Sequence, residues 1–197
     1  YKKNEDRSIH SVDLKTGEYG PMNTVRFDCF RVAKDRQKLA DKVKALCDGD
    51  DRGGTYFWEI TAKMLIYSAN RVPEISDDIV NIDNAMKWGF GWEAGPFETW
   101  DLLGVMKTIN RMKSEGKTFP KWISEMIESG RHTFYNTENG LKTYWCPLKK
   151  QALPIESNSK IFNIALHKTA GNTIKRDLSA SLHDMGDSVL NVEFHSI

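Results

Sequence analysis

Apolar residues recur every three or four positions through most of residues 32–130, which is the spacing of one buried face of an α-helix. The pattern predicts an amphipathic helix over residues 32–47 and a longer one over residues 54–71. Further helices are predicted on both sides of a glycine-rich corner at residues 82–104, and a last one begins at Pro120, because proline favours the first helical turn. Short loops between these segments predict five or six helices in a mainly α, bundle-like domain.

After Gly130 the pattern changes to the two-residue alternation that is typical of β-strands. Two short apolar runs flank Asn139-Gly140, a pair suited to positive φ, and they predict a β-hairpin. Three later segments are also predicted to be strands; they are Ile161–Leu166, Ser179–His183 and Val189–Phe194. The helical domain is therefore expected to be followed by a β-hairpin and a short β-rich tail.

The corner at residues 82–104 contains four glycines, one proline and three of the six tryptophans. The helix before it is predicted to begin with Ser76 as N-cap and to end at Gly89, since glycine suits the left-handed position past a helix end. Three aromatic residues lie at this end and are too apolar to be left in water, so we expect them to pack over neighbouring segments; they are Trp88, Phe90 and Trp92.

The chain of 197 residues is long enough for one core, or for one domain and part of a second. Its 28 basic residues nearly balance its 27 acidic ones, so the charge gives no reason to expect nucleic-acid binding. No apolar run approaches the roughly 20 residues of a membrane span, and no signal-peptide pattern opens the chain. The cysteines are odd in number and lack CxxC spacing, which predicts free thiols in the cytoplasm and no zinc site; they are Cys29, Cys47 and Cys146.

Two groups of polar residues were considered as metal ligands or bases. An acidic run resembles the start of a calcium loop but lacks the later Gly and Glu of such a loop, so we expect a solvated turn and no metal site; it comprises Asp48, Asp50 and Asp51. The histidines have no partner at metal or triad spacing and are predicted to be surface or edge residues; they are His10, His132, His167, His183 and His195.

The glycine-rich corner resembles the signature of the C-terminal helical domain of L-3-hydroxyacyl-CoA dehydrogenases. The matching positions are Asp83, Gly89, Gly91, Gly95, Pro96, Phe97, Asp101 and Gly104. The residues from Asn84 to Trp100 are similar to those of long bacterial fatty-acid oxidation proteins, in which a dehydrogenase precedes an enoyl-CoA hydratase (crotonase) segment. The motif is specific because many Gly, Pro and aromatic positions match at once.

The resemblance implies NAD-dependent oxidation of an L-3-hydroxyacyl-CoA to a 3-ketoacyl-CoA in fatty-acid β-oxidation. In the family, a Rossmann domain holds the NAD, and a His-Glu pair removes the hydroxyl proton. The present chain has no G-x-G-x-x-G run after a strand, so we expect it to contain no cofactor-binding and no catalytic residue and to be inactive alone. NAD would be bound elsewhere in the parent protein.

One helix start departs from the family pattern. The family's helical domain opens with Gly-Phe-x-x-Asn-Arg, whereas this chain has Gly-Thr-Tyr-Phe-Trp-Glu from Gly54, so the Asn position falls on or near Trp58. This implies a degenerate copy of the helical domain that supports the fold. The pair Asn70-Arg71 lies at the other end of that helix and is predicted to be a helix-terminal polar pair.

The remaining charged candidates are acidic residues near the signature and a short basic cluster. The acidic members near the signature are Glu93, Glu98 and Asp101. Asp101 is expected to pair with a basic group or to cap a neighbouring segment, not to act as an acid. A short basic cluster is expected to be solvated, with contact to a CoA phosphate in the assembled enzyme left open; it comprises Lys142, Lys149 and Lys150.

The chain starts without Met, and we interpret it as a fragment of a longer protein with four regions. They are a connector (1–23), a dehydrogenase C-terminal-like helical domain (24–146), a linker (147–159) and the β-rich start of a crotonase-like segment (160–197). The expected partners are the Rossmann and crotonase domains of the same polypeptide, an acyl-CoA substrate in the full enzyme, and a second copy in a homodimer. An alternative function is a non-catalytic domain-domain or dimerisation module formed by the aromatic corner.

Overall fold

A computed structural model describes residues 1–22, 25–138, 141–155 and 171–195. The helices of these ranges are α1 (Asp28–Lys34), α2 (Leu39–Cys47), α3 (Arg52–Asn70), α4 (Ile79–Phe90), α5 (Pro96–Leu103), α6 (Val105–Ser114) and α7 (Lys121–Glu128). The strands form three antiparallel sheets: β1 (Lys2–Lys3), β2 (Ile9–Val12) and β3 (Tyr19–Pro21); β4 (Tyr135–Glu138), β5 (Leu141–Cys146) and β6 (Gln151–Pro154); and β7 (Thr173–Arg176), β8 (Ala180–Asp184) and β9 (Leu190–Phe194). The chain divides into two units, Tyr1–Glu59 and Ile60–Ile197, and the division falls inside α3.

The first unit corrects two predictions. Residues 1–22, expected to be an extended connector, contain the three short strands β1–β3, in which His10 pairs with both Lys2 and Pro21. The single helix expected over residues 32–47 is two helices, α1 and α2. The break falls on residues 35–38, Asp-Arg-Gln-Lys, which offer no apolar side chain to bury.

Asp51, expected to lie in a solvated turn, instead caps α3. Its carboxylate accepts hydrogen bonds from the backbone N–H of Cys29 at 3.0 Å and of Gly54 at 2.7 Å. These two hydrogen bonds favour the charged form and lower the pKa of Asp51. The acidic turn therefore connects α1 to the start of α3.

The core of the second unit contains an aromatic cluster contributed by α5, α7 and the start of the hairpin. Its members are Phe97, Trp100, Trp122 and Phe134, and the rings of Phe97 and Trp100 each lie 5.2 Å from the Phe134 ring between centroids. Trp122 also donates its indole N–H to the carbonyl oxygen of Ala69 at 3.3 Å, which connects α7 to the end of α3. The predicted helices around the glycine-rich corner and after Pro120 are thus present.

The sheet of β4–β6 contains the predicted hairpin and one unexpected strand. Tyr135 pairs with Tyr144 across β4 and β5, while Asn139-Gly140 lies outside the described residues. β6 falls within the region predicted to be a linker, and Leu153 pairs with Tyr144 there. The sequence did not predict this strand because the segment is polar and contains proline. Such a segment can still form a strand at the edge of a sheet, where proline is tolerated.

The sheet of β7–β9 contains two of the predicted tail strands, β8 and β9, and an additional strand, β7. The predicted strand Ile161–Leu166 lies outside the described residues. With seven helices and three small sheets in the described ranges, the β content is larger than the mainly α prediction implies. Among the residues described, no helix combines the length and the apolar character needed to cross a membrane.

Candidate functional site

Helix α4 positions the first signature residue. Its N-cap is Asp78, whose carboxylate accepts the backbone N–H of Asn81 at 2.7 Å, so the prediction of Ser76 as N-cap is wrong by two residues. The helix is capped at its C-terminus by Gly91, which has a left-handed φ of 67°, and not by Gly89. Gly89 remains helical because Gly91, two residues later, supplies the left-handed conformation.

Asp83 extends from α4 to the N-terminus of α5. The side chain is almost fully buried, and its carboxylate accepts the backbone N–H of Phe97 at 2.8 Å and of Glu98 at 3.0 Å. A third hydrogen bond comes from the hydroxyl of Tyr135, at 2.8 Å, on strand β4. One carboxylate therefore joins α4, α5 and β4, and it accepts two of the backbone N–H groups that are left free in the first turn of α5.

Gly95 and Pro96 allow this approach. A β-carbon on Gly95 would collide with the backbone and side chain of Asp83, so only glycine lets α5 begin against α4. Pro96 occupies the first helical position, where its missing N–H leaves no donor unsatisfied. Glu98 accepts the N–H of Gly95 at 2.9 Å and pairs with Lys87 on α4 at 2.7 Å, which closes the outer side of the same contact.

Asp101 makes a second connection of the same kind. Its carboxylate accepts the backbone N–H groups of Phe134 and Tyr135, both at 2.8 Å, and thereby holds the start of β4 against α5. Capping of a neighbouring segment was one of the two roles expected for Asp101, and these contacts confirm it. We call the hydrogen-bonded set Asp83, Asp101 and Tyr135 the junction.

The junction is electrostatically unusual because the Asp83 carboxylate is buried and the Asp101 carboxylate is half-buried. Burial raises the pKa of Asp83 to about 6 and that of Asp101 to about 6, although the backbone N–H donors oppose the shift. Burial and the adjacent Asp83 carboxylate also raise the pKa of Tyr135. Every oxygen of the two carboxylates accepts at least one hydrogen bond from the fold itself, so the arrangement holds α4, α5 and β4 together.

The other signature residues surround the junction. Phe97 is fully buried in the aromatic cluster, and Gly104, with φ of 92°, makes the turn from α5 to α6. Trp100, also fully buried, donates its indole N–H to the hydroxyl of Thr108 on α6. Gly89 has open space where a β-carbon would lie and an ordinary φ, so nothing in the structure requires glycine there.

The aromatic residues at the end of α4 do not pack down as predicted. Trp88, Phe90 and Trp92 are 80%, 72% and 39% exposed. Trp88 lies about half a turn around the helix axis from the buried Ile79, since nine residues rotate the side chain by roughly 180°. Phe90 is the last residue of α4, about two turns beyond the contact that Asp83 makes with α5.

Most of the residues considered for substrate contact are buried or take part in hydrogen bonds and ion pairs within the chain. Trp58, at the family's Asn position, is buried, with 2% of its surface exposed. Asn70 donates its side-chain N–H to the carbonyl oxygen of Ile66, and Arg71 pairs with Glu74 at 2.7 Å, as expected of a helix-terminal polar pair. In the basic cluster, Lys150 pairs with Glu125 at 3.0 Å, while Lys142 and Lys149 are exposed.

The histidine predictions need one correction. His183 on β8 is buried, with Nε2 2.8 Å from the Ser181 hydroxyl and Nδ1 3.1 Å from the Thr173 hydroxyl. It is therefore neither a surface nor an exposed edge residue. The sequence did not predict its burial, because alternation along β8 places His183 on the same side of the strand as the polar Ser181. His167 lies outside the described residues.

The helix N-termini at α3, α4 and α5 do not fit a dinucleotide. A cofactor pyrophosphate is held by free backbone N–H groups at such an end. Here each end already contains a carboxylate: Asp51 bonds Gly54, Asp78 bonds Asn81, and Asp83 bonds Phe97. A second negative group would meet repulsion at all three positions.

The junction lies in a segment that is similar to a known family. Residues 60–143, which include the whole junction, match the family described as 3-hydroxyacyl-CoA dehydrogenase, C-terminal domain. This match agrees with the resemblance that the signature indicated.

The relatives are longer proteins. The whole chain is 42% identical over 196 residues to a protein of Bacillus subtilis named as a 3-hydroxyacyl-CoA dehydrogenase, and it covers 24% of that protein's length. A shorter stretch of 58 residues, 29% of this chain and 8% of the relative, is 47% identical to a protein of Rickettsia felis named as a fatty acid oxidation complex trifunctional enzyme. No solved structure matches the chain significantly. The chain thus spans about a quarter of the Bacillus relative.

Proposed function

We propose that this chain is part of an NAD-dependent 3-hydroxyacyl-CoA dehydrogenase of bacterial fatty-acid β-oxidation, which converts an L-3-hydroxyacyl-CoA to a 3-ketoacyl-CoA. Within it, this segment is a supporting helical domain that is inactive alone. The observation that carries the proposal is the junction. In a segment that matches the dehydrogenase family, the signature carboxylates of Asp83 and Asp101 both accept hydrogen bonds from backbone N–H groups of neighbouring elements.

The chemistry explains why the segment needs other parts of the polypeptide. Oxidation of a secondary alcohol removes the hydroxyl proton to a base and passes the hydride from carbon to the nicotinamide. A base must reach the substrate with an open lone pair. Asp83 accepts three hydrogen bonds and Asp101 accepts two, all from groups of the fold itself, so we assign the base and the cofactor site to regions outside this chain.

Three further statements extend the same proposal. The helical domain covers residues 24–146, with a connector before it, a linker after it, and the start of a crotonase-like segment from residue 160. The parent also carries enoyl-CoA hydratase activity, a proposal supported by the trifunctional name of the Rickettsia felis relative. The parent acts in the cytoplasm, and its Rossmann and crotonase domains are the partners of this segment.

A turnover assay tests the proposal. The purified 197-residue chain is mixed with L-3-hydroxybutyryl-CoA and NAD, and the absorbance of NADH is followed; no turnover is expected. A chimera is also made, in which these 197 residues replace the matching segment of the Bacillus subtilis relative. This chimera should support turnover. Turnover by the chain alone, or a chimera that folds but is inactive, would contradict the proposal.

A second function, a non-catalytic interaction module, is favoured by the exposed aromatic residues at the end of α4. Trp88 and Phe90 are 80% and 72% exposed, and aromatic residues commonly form the centres of interfaces. Sedimentation of the chain and of a Trp88→Ser/Phe90→Ser variant tests it. Association of the original chain that the variant loses would support the module, whereas two monomers would argue against self-association through these residues.

A further inference from the structure

The sheet of β7–β9 has one polar and one apolar face. Directly paired residues of an antiparallel sheet lie on the same side, so the register defines each face. Ser181 and Glu193 pair on the polar side, which also includes His183. The apolar residues of the other side, on β8 and β9, are Ala180, Leu182, Leu190, Val192 and Phe194, paired as Ala180–Phe194 and Leu182–Val192, with Leu190 opposite Asp184. Lys175 of β7 also lies on this side, opposite Leu182. We call these five residues the apolar tail face.

The burial of the two faces is the reverse of what an antiparallel sheet normally shows. Ser181 and His183, on the polar side, are 4% exposed, and the two side chains bond each other at 2.8 Å. On the apolar tail face, Phe194 is 82% exposed, and Leu190 and Val192 are more than half exposed. Since an apolar sheet face is ordinarily turned to a core, this face lacks its partner among the described residues.

The size of the face restricts the possible occupants. Two strands of five residues, at about 4.8 Å between strands and about 3.4 Å per residue, offer roughly 160 Å². A stable complex of separate proteins buries about 800 Å² on each partner. A second copy could not be held by this face alone. A segment of the same polypeptide needs less area, because a covalent connection raises its effective concentration to the millimolar range.

We propose that the apolar tail face is a docking surface for a segment of the same polypeptide that lies outside these 197 residues. The length of the Bacillus relative supports this source, since this chain matches only 24% of it. The occupant presents apolar side chains from a strand or helix, because the five residues of the face are all apolar; the charged residues on the same side, Lys175 of β7 and Asp184 at the end of β8, lie at its margins. The inference rests on the proposed function only in taking this chain to be part of a longer polypeptide.

Cysteine labelling tests the proposal directly. The three native cysteines are buried, and burial raises the pKa of the Cys29 thiol, so an introduced cysteine is the reactive one. Val192→Cys is made in the 197-residue chain and in the chimera with the Bacillus relative, whose own cysteines are replaced by Ser, and the rate of maleimide labelling is measured. We expect labelling at least tenfold slower in the chimera. Leu178→Cys, at an almost fully exposed position between β7 and β8, is the matched control and should react at the same rate in both.

Each other outcome overturns the proposal. Equal rates for Val192→Cys in the two proteins would mean that nothing in the longer polypeptide covers the face. Slow labelling already in the 197-residue chain would place the occupant within these residues. A rate that falls with the concentration of the 197-residue chain would identify a second copy. Leu190→Cys gives an independent measurement if Val192→Cys does not fold.

The turnover assay separates this proposal from the proposed function. An active chimera with an unprotected Val192→Cys would overturn the docking surface and leave the dehydrogenase assignment intact. A protected Val192→Cys in a folded but inactive chimera would support the docking surface and overturn the dehydrogenase assignment.

Discussion

At the scale of single residues, Gly95 has the most restricted position in the junction. Its Cα lies so close to Asp83 that no β-carbon fits, although its φ of −75° is one that any residue can adopt. The requirement for glycine is therefore a matter of space and not of backbone conformation. Gly89, six residues earlier, has no such neighbour and serves as a matched control.

Gly95→Ala is expected to lower the free energy of unfolding by about 1–3 kcal/mol, because α5 must move away from Asp83 to admit the methyl group. Gly89→Ala lies in an exposed turn of α4 and should be neutral or stabilising by up to about 1 kcal/mol. Urea denaturation followed by circular dichroism measures both. Equal effects of the two substitutions would show that the close approach at Gly95 is not rigid.

The pKa of Asp83 predicts a dependence of stability on pH. Because burial raises this pKa from 3.8 to about 6, the folded state binds the proton more tightly than the unfolded state. The stabilisation from this group is complete below about pH 4 and is lost as the pH rises through 6, and it amounts to about 3 kcal/mol at most. Asp83→Asn cannot titrate, so the advantage of the original chain over the variant should be larger at pH 5 than at pH 7.5.

Urea denaturation at the two pH values measures this difference. Asp77→Asn, at an exposed position beside α4, is the control and should follow the original chain at both pH values. An advantage over Asp83→Asn that grows with pH would mean that the hydrogen bonds to the carboxylate outweigh its burial.

At the scale of elements, the junction joins three segments that are distant in sequence. Asp83 and Tyr135 are 52 positions apart, and their hydrogen bond of 2.8 Å connects α4 to β4. Asp101 connects α5 to the same strand through backbone donors. The relative placement of two helices and a hairpin thus depends on a few buried hydrogen bonds together with the aromatic cluster.

Tyr135→Phe removes the hydroxyl donor and leaves the Asp83 carboxylate with one partner fewer, so we expect a loss of about 1–3 kcal/mol in the free energy of unfolding. Tyr67→Phe, at an exposed position on α3, should change it by less than about 0.5 kcal/mol. In a double-mutant cycle with Asp83→Asn, the coupling energy should reach about 0.5–3 kcal/mol. Additive effects of the two substitutions would show that the hydrogen bond contributes nothing to stability.

The sequence predicted the elements around the corner better than their ends and contacts. Helical spacing and Pro96 located α5, and the alternation of Val189–Phe194 located β9. The cap positions at Ser76 and Gly89 were wrong, because several residues near each helix end could serve and tertiary contacts decide among them. The exposure of Trp88 was missed because composition indicates that a residue is apolar but not whether a partner faces it.

The role of Asp83 was only partly visible in the sequence. Its place in the signature was evident, but its three donors come from α5 and β4, and no local pattern connects those elements. An acidic residue at an apolar position of a helical pattern was the available signal, since a charge on the buried face needs fixed partners. The same signal was absent for His183, which lies in a strand of mixed polar and apolar residues.

At the scale of the whole molecule, the described residues contain a segment whose signature carboxylates join elements of the fold and a tail with an exposed apolar face. Both features agree with a part of a longer enzyme, since the chain covers 24% of its Bacillus relative. The carboxylates at the starts of α3, α4 and α5 disfavour a bound dinucleotide in these places. Under the proposed function, this chain supports the fold, and hydride transfer takes place in other parts of the polypeptide.

Calorimetric titration of the 197-residue chain with NADH and, separately, with acetoacetyl-CoA tests this separation most directly. We predict no heat of binding for NADH, because the N-termini of α3, α4 and α5 contain carboxylates that would repel its phosphates. Binding of acetoacetyl-CoA without NADH would assign this segment a share of the substrate pocket and keep the separation. Saturable binding of NADH to the folded chain would contradict the account.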